Sequence, residues 1–506
     1  MIKKKGEAMR PLSKSKLIAY RQCAKRLWLE VNGPKKPDPD PQTQAKFDDG
    51  HKVGELAHKL YDPKGKGFLF APQDEGYDDV ILRTDELIDS SHPLFEAGFN
   101  GGGARAYVDV MLPLRRNGKK AWHMVEVKSS TSVKDTYKDD IAIQAYIARA
   151  SGVNLHSAAV AHIDSGWTYP GGGDYDGFLK EVDQTAEAFS RDTEVEQWIN
   201  EAQTIVRKRK EPNIDVGPHC DTPYPCAYLA YCQRDAVFPE YPVAWLPRPG
   251  QKLKAHIEAQ GWTDLSEVPD EHLNEQQLRV KTNTIDNTFH FDDVAAVKAL
   301  AQHKLPAYFL DFESVNLTIP IWKGIKPFQQ VLFQFSLHLL SRSGKLTQKE
   351  FLDLSGQDPS KSIATALIAA CGESGPIFVY SSFESTQIKE LAKRLPRLAR
   401  HLLAINARLV DLLPVARKHY YHPDQQGSWS IKKVLPTIAP DLNYDTLDGV
   451  KDGGMAVLAY REAIDPATTA QRVKEIEQQL LDYCRLDTIA MVRLWQHFTG
   501  RAPLNG

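Results

Sequence analysis

No apolar run in the 506 residues reaches the roughly 20 residues that a membrane-spanning helix needs, which excludes a helical integral membrane protein. The N-terminus, Met1-Ile2-Lys3-Lys4-Lys5, is basic but lacks the apolar stretch of a secretory signal, so a cytoplasmic location is expected. Internal repeats are absent, and low-complexity tracts go no further than short clusters such as Gly171-Gly172-Gly173. Cysteines number only six, and in a reducing compartment they read as thiols or metal ligands before disulfides. Net charge is also nearly absent, at −2, but its distribution is uneven. Eleven Lys/Arg residues lie between Met1 and Lys36 against only Glu7 and Glu30, and Arg207-Lys208-Arg209-Lys210 forms a second basic run. Such runs neutralise phosphates, or equally form a solvated helix face or tail.

What is present is a soluble globular composition, 42% hydrophobic and 25% charged, in a chain long enough for two or three domains. Helical spacing of Leu17, Tyr20, Leu27 and Trp28 predicts a helix from Ser13 to Val31, capped by Ser13 or Ser15. Ala106 to Leu112 and His123 to Lys128 read as strands around the turn Arg116-Asn117-Gly118, and Asp139 to Ala150 as a helix. The Pro-rich stretch Phe238 to Pro249 marks a boundary, followed by short helices over Leu253 to Leu278. Beyond it a strand at Ala307 to Phe312, a strand at Ile377 to Tyr380, a helix at Glu384 to Leu395 and a long terminal helix at Arg472 to Phe498 predict an α/β fold.

Two acidic constellations stand out. In the first, Glu126 and Lys128 are two apart on a strand and share a face, while Val125 and Val127 turn into the core. Asp109, on the neighbouring strand, can meet them across the ladder. Two carboxylates suit Mg²⁺ or Mn²⁺, which would polarise a phosphate, while Lys128 stabilises developing negative charge. An exposed strand with an alternating Glu/Lys pair is the bland alternative. The surroundings are Glu96-Ala97-Gly98-Phe99 before Asp109, Gln144 and Tyr146 on the next helix, and Gly54-Glu55-Leu56-Ala57-His58 upstream. Together these resemble the RecB-like branch of the PD-(D/E)xK nucleases, including its CRISPR-associated and AddB-type members. The resemblance implies a restriction-endonuclease-like fold with catalytic Asp109, Glu126 and Lys128. It also implies a metal ligand in His58, with His51 as a rival, and DNA-binding support from Gln144 and Tyr146.

Four cysteines bracket that constellation: Cys23 alone, then Cys220, Cys226 and Cys232 in a short loop with His219, Pro223 and Pro225 interleaved. Four thiolates can hold Zn²⁺ or an iron–sulfur cluster, and the spacing leaves both open. The resemblance implies a 4Fe-4S cluster, since these nucleases place one cysteine before the core and three after it; His219 is a rival ligand. Cys371 and Cys484 are expected to be structural.

In the second constellation, Asp311 and Glu313 alternate with Leu310 and Phe312, so both carboxylates face one side of an apolar strand. Uncompensated buried charge is costly, and a metal pair is the natural reason for it. Tyr483 and Asp487 are four apart on a helix and share a face. The pattern resembles the DEDD exonucleases of the RNase H-like fold, in the subgroup with YxxxD. The family's second motif falls on Tyr380-Ser381-Ser382-Phe383-Glu384, with Glu384 in place of the usual Asp and without the usual Asn. Asp411 is the rival fourth acid, or a helix cap. Ser428-Trp429-Ser430-Ile431-Lys432-Lys433 resembles the Ser-Leu-Lys helix start of that family. Pro306 to Trp495 as a whole resembles an uncharacterised bacterial domain found behind RecB-like nuclease domains.

The expected architecture is a PD-(D/E)xK restriction-endonuclease-like domain over 1–240, a helical linker over 241–300 and an RNase H-like α/β exonuclease domain over 301–506. The expected activity is Mg²⁺- or Mn²⁺-dependent hydrolysis of phosphodiester bonds, with DNA ahead of RNA as partner and no membrane. Two alternatives stand beside it: that only the C-terminal domain cuts, as a 3′–5′ exonuclease, or that degenerate sites leave a nucleic-acid-binding protein.

Overall fold

The computed structural model describes residues 11–502. They divide into two compact units, one running to Ala236 and including Leu317–Phe328, the other covering Val237–Asn316 and Gln329 onward. The extreme N-terminal part of the basic run lies outside the described residues. Both units are mixed α/β, and among the described residues no helix is long and apolar enough to cross a membrane. The segment expected as a linker is helical, with helices at Gln251–Gln260, Glu275–Ile285 and Asp293–Leu300, and it belongs to the second unit.

The first unit begins with β1 (Leu12–Ser13), α1 (Lys14–Gln22) and α2 (Ala24–Asn32). The single helix expected over Ser13 to Val31 is therefore two, broken at Cys23, whose extended backbone (φ −163°, ψ 124°) caps the first and opens the second. Then come α3 (Pro41–Tyr61), β2 (Phe68–Leu69), α4 (Tyr77–Leu87), β3 (Leu94–Gly101), β4 (Ala104–Arg116), β5 (Lys119–Lys128), α5 (Asp135–Ala150), β6 (Leu155–Ile163) and β7 (Leu179–Asp183). The sheet order is β2-β3-β4-β5-β6-β7, with β1 beside β4. Asn117 (φ 51°) and Gly118 (φ 74°) form the tight turn between β4 and β5, where both residues must be left-handed. Ala142, Ala145 and Ala148 let α5 lie close on one face of the sheet, over Ala106, Val108 and Met124. Tyr61 of α3 packs on the other face against Phe95, Val110 and Val125. Residues 317–328 complete this unit: Ile319 and Phe328 join Val53, Trp167 and Tyr175, and Thr318 Oγ1 donates to Asp49 Oδ2 at 2.8 Å.

The second unit is built on β8 (Ala307–Asn316), β9 (Gln330–Leu340), β10 (Leu346–Leu352), β11 (Ile377–Val379), α6 (Phe383–Arg394), β12 (Leu409–Asp411), α7 (Ile431–Ile438) and α8 (Ala470–Phe498). Its sheet order is β10-β9-β8-β11-β12, antiparallel on one side of β8 and parallel on the other. As the central strand, β8 is covered on both faces, which is why its first four residues, Ala307 to Leu310, are continuously apolar and buried. Tyr308, Leu310 and Phe312 enter one core, while Phe309 and Asp311 turn towards α8, meeting Trp495 and Cys484. Polar bonds fix α8 on the sheet: Gln334 Nε2 donates to the Leu480 carbonyl at 2.7 Å, and Ser336 and His338 both bond the Thr488 hydroxyl at 2.8 Å.

Trp495 is 1% exposed between Phe309 and Phe378. Trp495→Ala should cost about 3–5 kcal/mol, read as a lower urea midpoint for the second unit. An unchanged midpoint would show that α8 is not what closes this core.

Candidate metal centres

In the first unit the β3–β4 ladder skips the Glu96–Asp109 step, and Glu96 takes a positive φ of 56° there. Left-handed backbone at a glutamate is uncommon and concentrates at functional positions. Asp109 Oδ2 accepts from the Val127 amide at 2.7 Å, which ties β4 to β5 beside Glu126. Glu126 is buried, and Lys128 Nζ donates to its Oε1 at 2.6 Å and to Asp140 Oδ2 at 2.5 Å. Lys14 Nζ, from the first residue of α1, reaches the same pair at 2.9 and 3.0 Å. Gln144 Nε2 completes the group, donating to Glu126 Oε2 at 2.6 Å.

The electrostatics follow from burial. Burial and the neighbouring Asp109 and Asp140 carboxylates push Glu126 up to about 7, against the pull of the two lysines. Burial and Glu96 raise Asp109, and burial and Glu126 raise Glu96. Burial favours a neutral Lys128, but Asp140 and Glu126 outweigh it and hold the ammonium charged; Lys14 is held charged in the same way. His58, on α3, sets its ring against Phe95 at a tilt of 44° and has no hydrogen-bond partner at buried Nε2, which is 3.9 Å from Glu96 Oε1. Burial lowers its pKa, so it offers a neutral nitrogen. Four carboxylates thus face two ammoniums, an excess of negative charge, with one unsatisfied imidazole beside them. That donor set fits a divalent cation. His51 is exposed. Tyr146 is not brought to this group: two residues from Gln144 on α5, it points elsewhere and packs on the β3–β4 turn, where a Cβ at Gly102 would overlap its ring.

The four cysteines line one cavity together with Lys25, Arg26, His219 and Tyr228. The Cys226 amide donates to the Cys220 carbonyl at 2.7 Å, folding the loop back on itself. Burial raises the Cys226 and Cys232 thiols, while Arg26 and Lys25 respectively act in the opposite sense. Their sulfurs do not form a group of three ligand atoms within 4.8 Å of one another; among the described residues that spacing is met at Asp311, Glu313 and Cys484.

That last group is the centre of the second site. Glu313, Glu384, Asp487, Tyr483 and Cys484 are buried, and Asp311 is partly so. Cys484, expected to be structural, places its Sγ 3.6 Å from Asp311 Oδ2. Burial, then Asp487, Glu313 and Glu384, raise Asp311 well above the carboxylate range. Burial and Asp487 push Glu313 up to about 8, and burial pushes Asp487 up to about 6. Glu384 rises to about 7, chiefly by burial, while Ser381 Oγ donates to it at 3.0 Å. Tyr444 OH donates to Asp487 Oδ1 at 2.5 Å, and Lys432 lies over the Tyr444 and Tyr483 rings at 5.0 and 4.9 Å. Glu384 is thus among the acids that act on Asp311. Asp411 raises Glu384 and accepts the Leu413 amide at 2.9 Å, as a cap does.

Sequence reasoning missed Lys14 and Asp140 in the first site and Tyr444 in the second; it quoted Glu96 and Lys432 within motifs without giving them a role, and took Cys484 as structural. Asp140 could have been found from its i,i+4 relation to Gln144. Nothing local marks Lys14 or Tyr444. Residues 308–430 match a family described as a domain of unknown function (DUF2779), a span that holds Asp311, Glu313 and Glu384 and stops short of Tyr483 and Asp487. No curated protein matches the chain.

Glu126, Glu313, Glu384 and Asp487 have folded pKa values of about 7, 8, 7 and 6, all above their ordinary values. The folded chain therefore holds extra protons from about pH 4.5 to 8, and its stability falls as pH rises through that window. Mn²⁺ should replace those protons and flatten the fall. Thermal melts across this range in EDTA and in Mn²⁺ measure both effects; a flat profile in EDTA would show that the acids ionise without penalty.

Proposed function

We propose that the chain is a divalent-metal-dependent nuclease that hydrolyses phosphodiester bonds of DNA, with a restriction-endonuclease-like first unit and an RNase H-like, DEDD-type exonuclease second unit. The observation that carries the reading is the gathering of Asp311, Glu313, Glu384 and Asp487 in one buried site, where burial raises all four and Asp487 further raises the other three. Proteins rarely keep such like charges together unless a cation or a reaction uses them. Asp311, Glu313 and Asp487 would hold Mg²⁺ or Mn²⁺ in the second unit, and His58, Asp109 and Glu126 in the first. A bound ion would supply positive charge against the scissile phosphate.

The side chains do the rest. Glu126, with a pKa of about 7, can take the proton of an attacking water near neutral pH. Lys128, kept charged by Asp140 and Glu126, can neutralise the phosphate oxygens as the new P–O bond forms and the old one breaks. In the second site Tyr483 stays protonated, because burial and the neighbouring acids raise it, and so can donate a hydrogen bond that orients water. A second reading, in which only the second unit cuts, is favoured by one fact: Glu126 already meets two ammoniums.

Labelled single- and double-stranded DNA and RNA, with Mg²⁺ or Mn²⁺, test both readings. Lys128→Ala and Asp311→Asn should each lower the cleavage of their own unit by roughly 100-fold or more. Loss in Asp311→Asn alone selects the second reading. No cleavage on any substrate leaves only nucleic-acid binding.

For Cys23, Cys220, Cys226 and Cys232 we propose a 4Fe-4S cluster. Their shared cavity and the Lys25 and Arg26 cations beside it favour thiolate ligation, and the resemblance of the first unit to RecB-like nucleases favours a cluster over zinc. Protein purified without oxygen should be brown and contain iron and acid-labile sulfide, and Cys226→Ser should bleach it. One zinc and no iron would overturn the cluster.

A further inference from the structure

A groove of different character opens beside the first carboxylate site. It is lined by Ser13, Lys14 and Ser15 at the start of α1, Tyr77 at the start of α4, and Arg105, Ala106 and Tyr107 of β4. Tyr77 is 50% exposed, unusual for so large a ring that is also held in place. Tyr107 meets it edge-on at 5.4 Å between centroids and donates its hydroxyl to the Tyr77 carbonyl at 2.8 Å. That bond uses the Tyr77 backbone and leaves ring surface open. The Arg105 guanidinium lies 6.0 Å from the same ring and pairs with Asp78 at 3.2 Å. Asp78 is 90% exposed at its side chain, so this pair is weak and exchangeable.

The strand sets the direction. Ala104, Ala106 and Val108 are buried while Arg105, Tyr107 and Asp109 are not, so these three follow one another at two-residue steps along β4. Each step is about 6.8 Å, roughly twice the 3.4 Å rise per nucleotide of a duplex strand, and so suits a strand pulled out of its stack. Lys14 belongs to both places, lining the groove and bonding Glu126 at 2.9 Å. A π face, a guanidinium and an ammonium in line match base and phosphate in alternation. A duplex, with its base faces already stacked, cannot use the ring.

We propose that this groove is a nucleotide subsite for single-stranded nucleic acid. One base stacks on Tyr77, Arg105 exchanges Asp78 for the adjacent phosphate, and Lys14 leads the strand towards Asp109 and Glu126. The subsite rests on the nuclease reading of the first unit for its purpose, and on its own geometry for its chemistry.

The test is fluorescence anisotropy of the full chain, in EDTA, with labelled 20-mers of single-stranded DNA, single-stranded RNA and duplex DNA; the two single strands identify which sugar the groove takes. Tyr77→Ala should weaken single-strand binding about tenfold, the size of one base–aromatic stack, and spare the duplex. Tyr77→Phe should stay within about twofold, because the ring is what binds. Arg105→Ala should reduce the salt slope by about one phosphate contact. A single abasic position should cost the wild type affinity and cost Tyr77→Ala none. Melting curves check that each variant folds. Unchanged single-strand affinity in folded Tyr77→Ala, or equal loss for duplex and single strand, overturns the subsite, as does a wild type that binds no single strand. Binding through Tyr77 without cleavage in Mg²⁺ or Mn²⁺ overturns the nuclease reading and leaves the subsite standing.

Discussion

Carboxylates buried side by side repel one another, and the repulsion grows as water is excluded, so a fold that keeps them must hold their backbones against that force. In the second unit the hold is mechanical. Asp311 and Glu313 are fixed by the central strand, which has partners on both edges, and Asp487 by a 29-residue helix. The helix cannot slide, because Gln334, Ser336 and His338 bond it at Leu480 and Thr488, one turn on either side of Cys484. Apolar packing alone would resist separation but would tolerate a shift along the axis. The directional polar bonds set the register.

The two sites answer the same repulsion differently. In the first, Lys14 and Lys128 supply positive charge in direct contact with Glu126 and Asp140, so part of the field is cancelled within the protein. In the second, cancellation comes from hydrogen bonds and protons: Tyr444 donates to Asp487, Ser381 to Glu384, and Lys432 acts from across two aromatic rings. In the first group the two ammoniums hold Asp140 ionised, while Glu126, Asp109 and Glu96 remain raised. The second is poised between protonation and cation binding, since both relieve the same excess charge.

Much of this was legible in local pattern. Alternation on β8 placed Asp311 and Glu313 on one face, Asn117-Gly118 marked the hairpin of β4 and β5, and the terminal helix was expected within two residues of its observed start. What was not legible depends on long-range contact. Lys14 meets Glu126 across 112 residues of sequence, and Tyr444 meets Asp487 across 43, with no spacing rule to connect either pair. Residues 317–328 are counted with the first unit although they join two strands of the second, an exchange that no periodicity announces. Cys484 looked structural because it sits on the terminal helix, far from the other cysteines; only the approach of β8 gives its sulfur a carboxylate. The break at Cys23 went unseen for a similar reason, since the residues on both sides of it have helical spacing.

That break gives α1 its meaning. The helix is nine residues long, about 13 Å, and its two ends do different work. Ser13 caps the start, where Lys14 turns to Glu126 and Asp140, and Cys23 terminates it inside the cavity shared with Cys220, Cys226 and Cys232. Gln22, one residue earlier, donates to the carbonyls of His219 and Tyr224, so the cysteine loop is bonded to the helix end even before any metal is considered. A helix of two and a half turns with Leu17 and Ala19 fully buried transmits position from one end to the other. The placement of the Lys14 ammonium, and with it the charge balance at Glu126, is therefore set partly by the loop that carries the three distant cysteines.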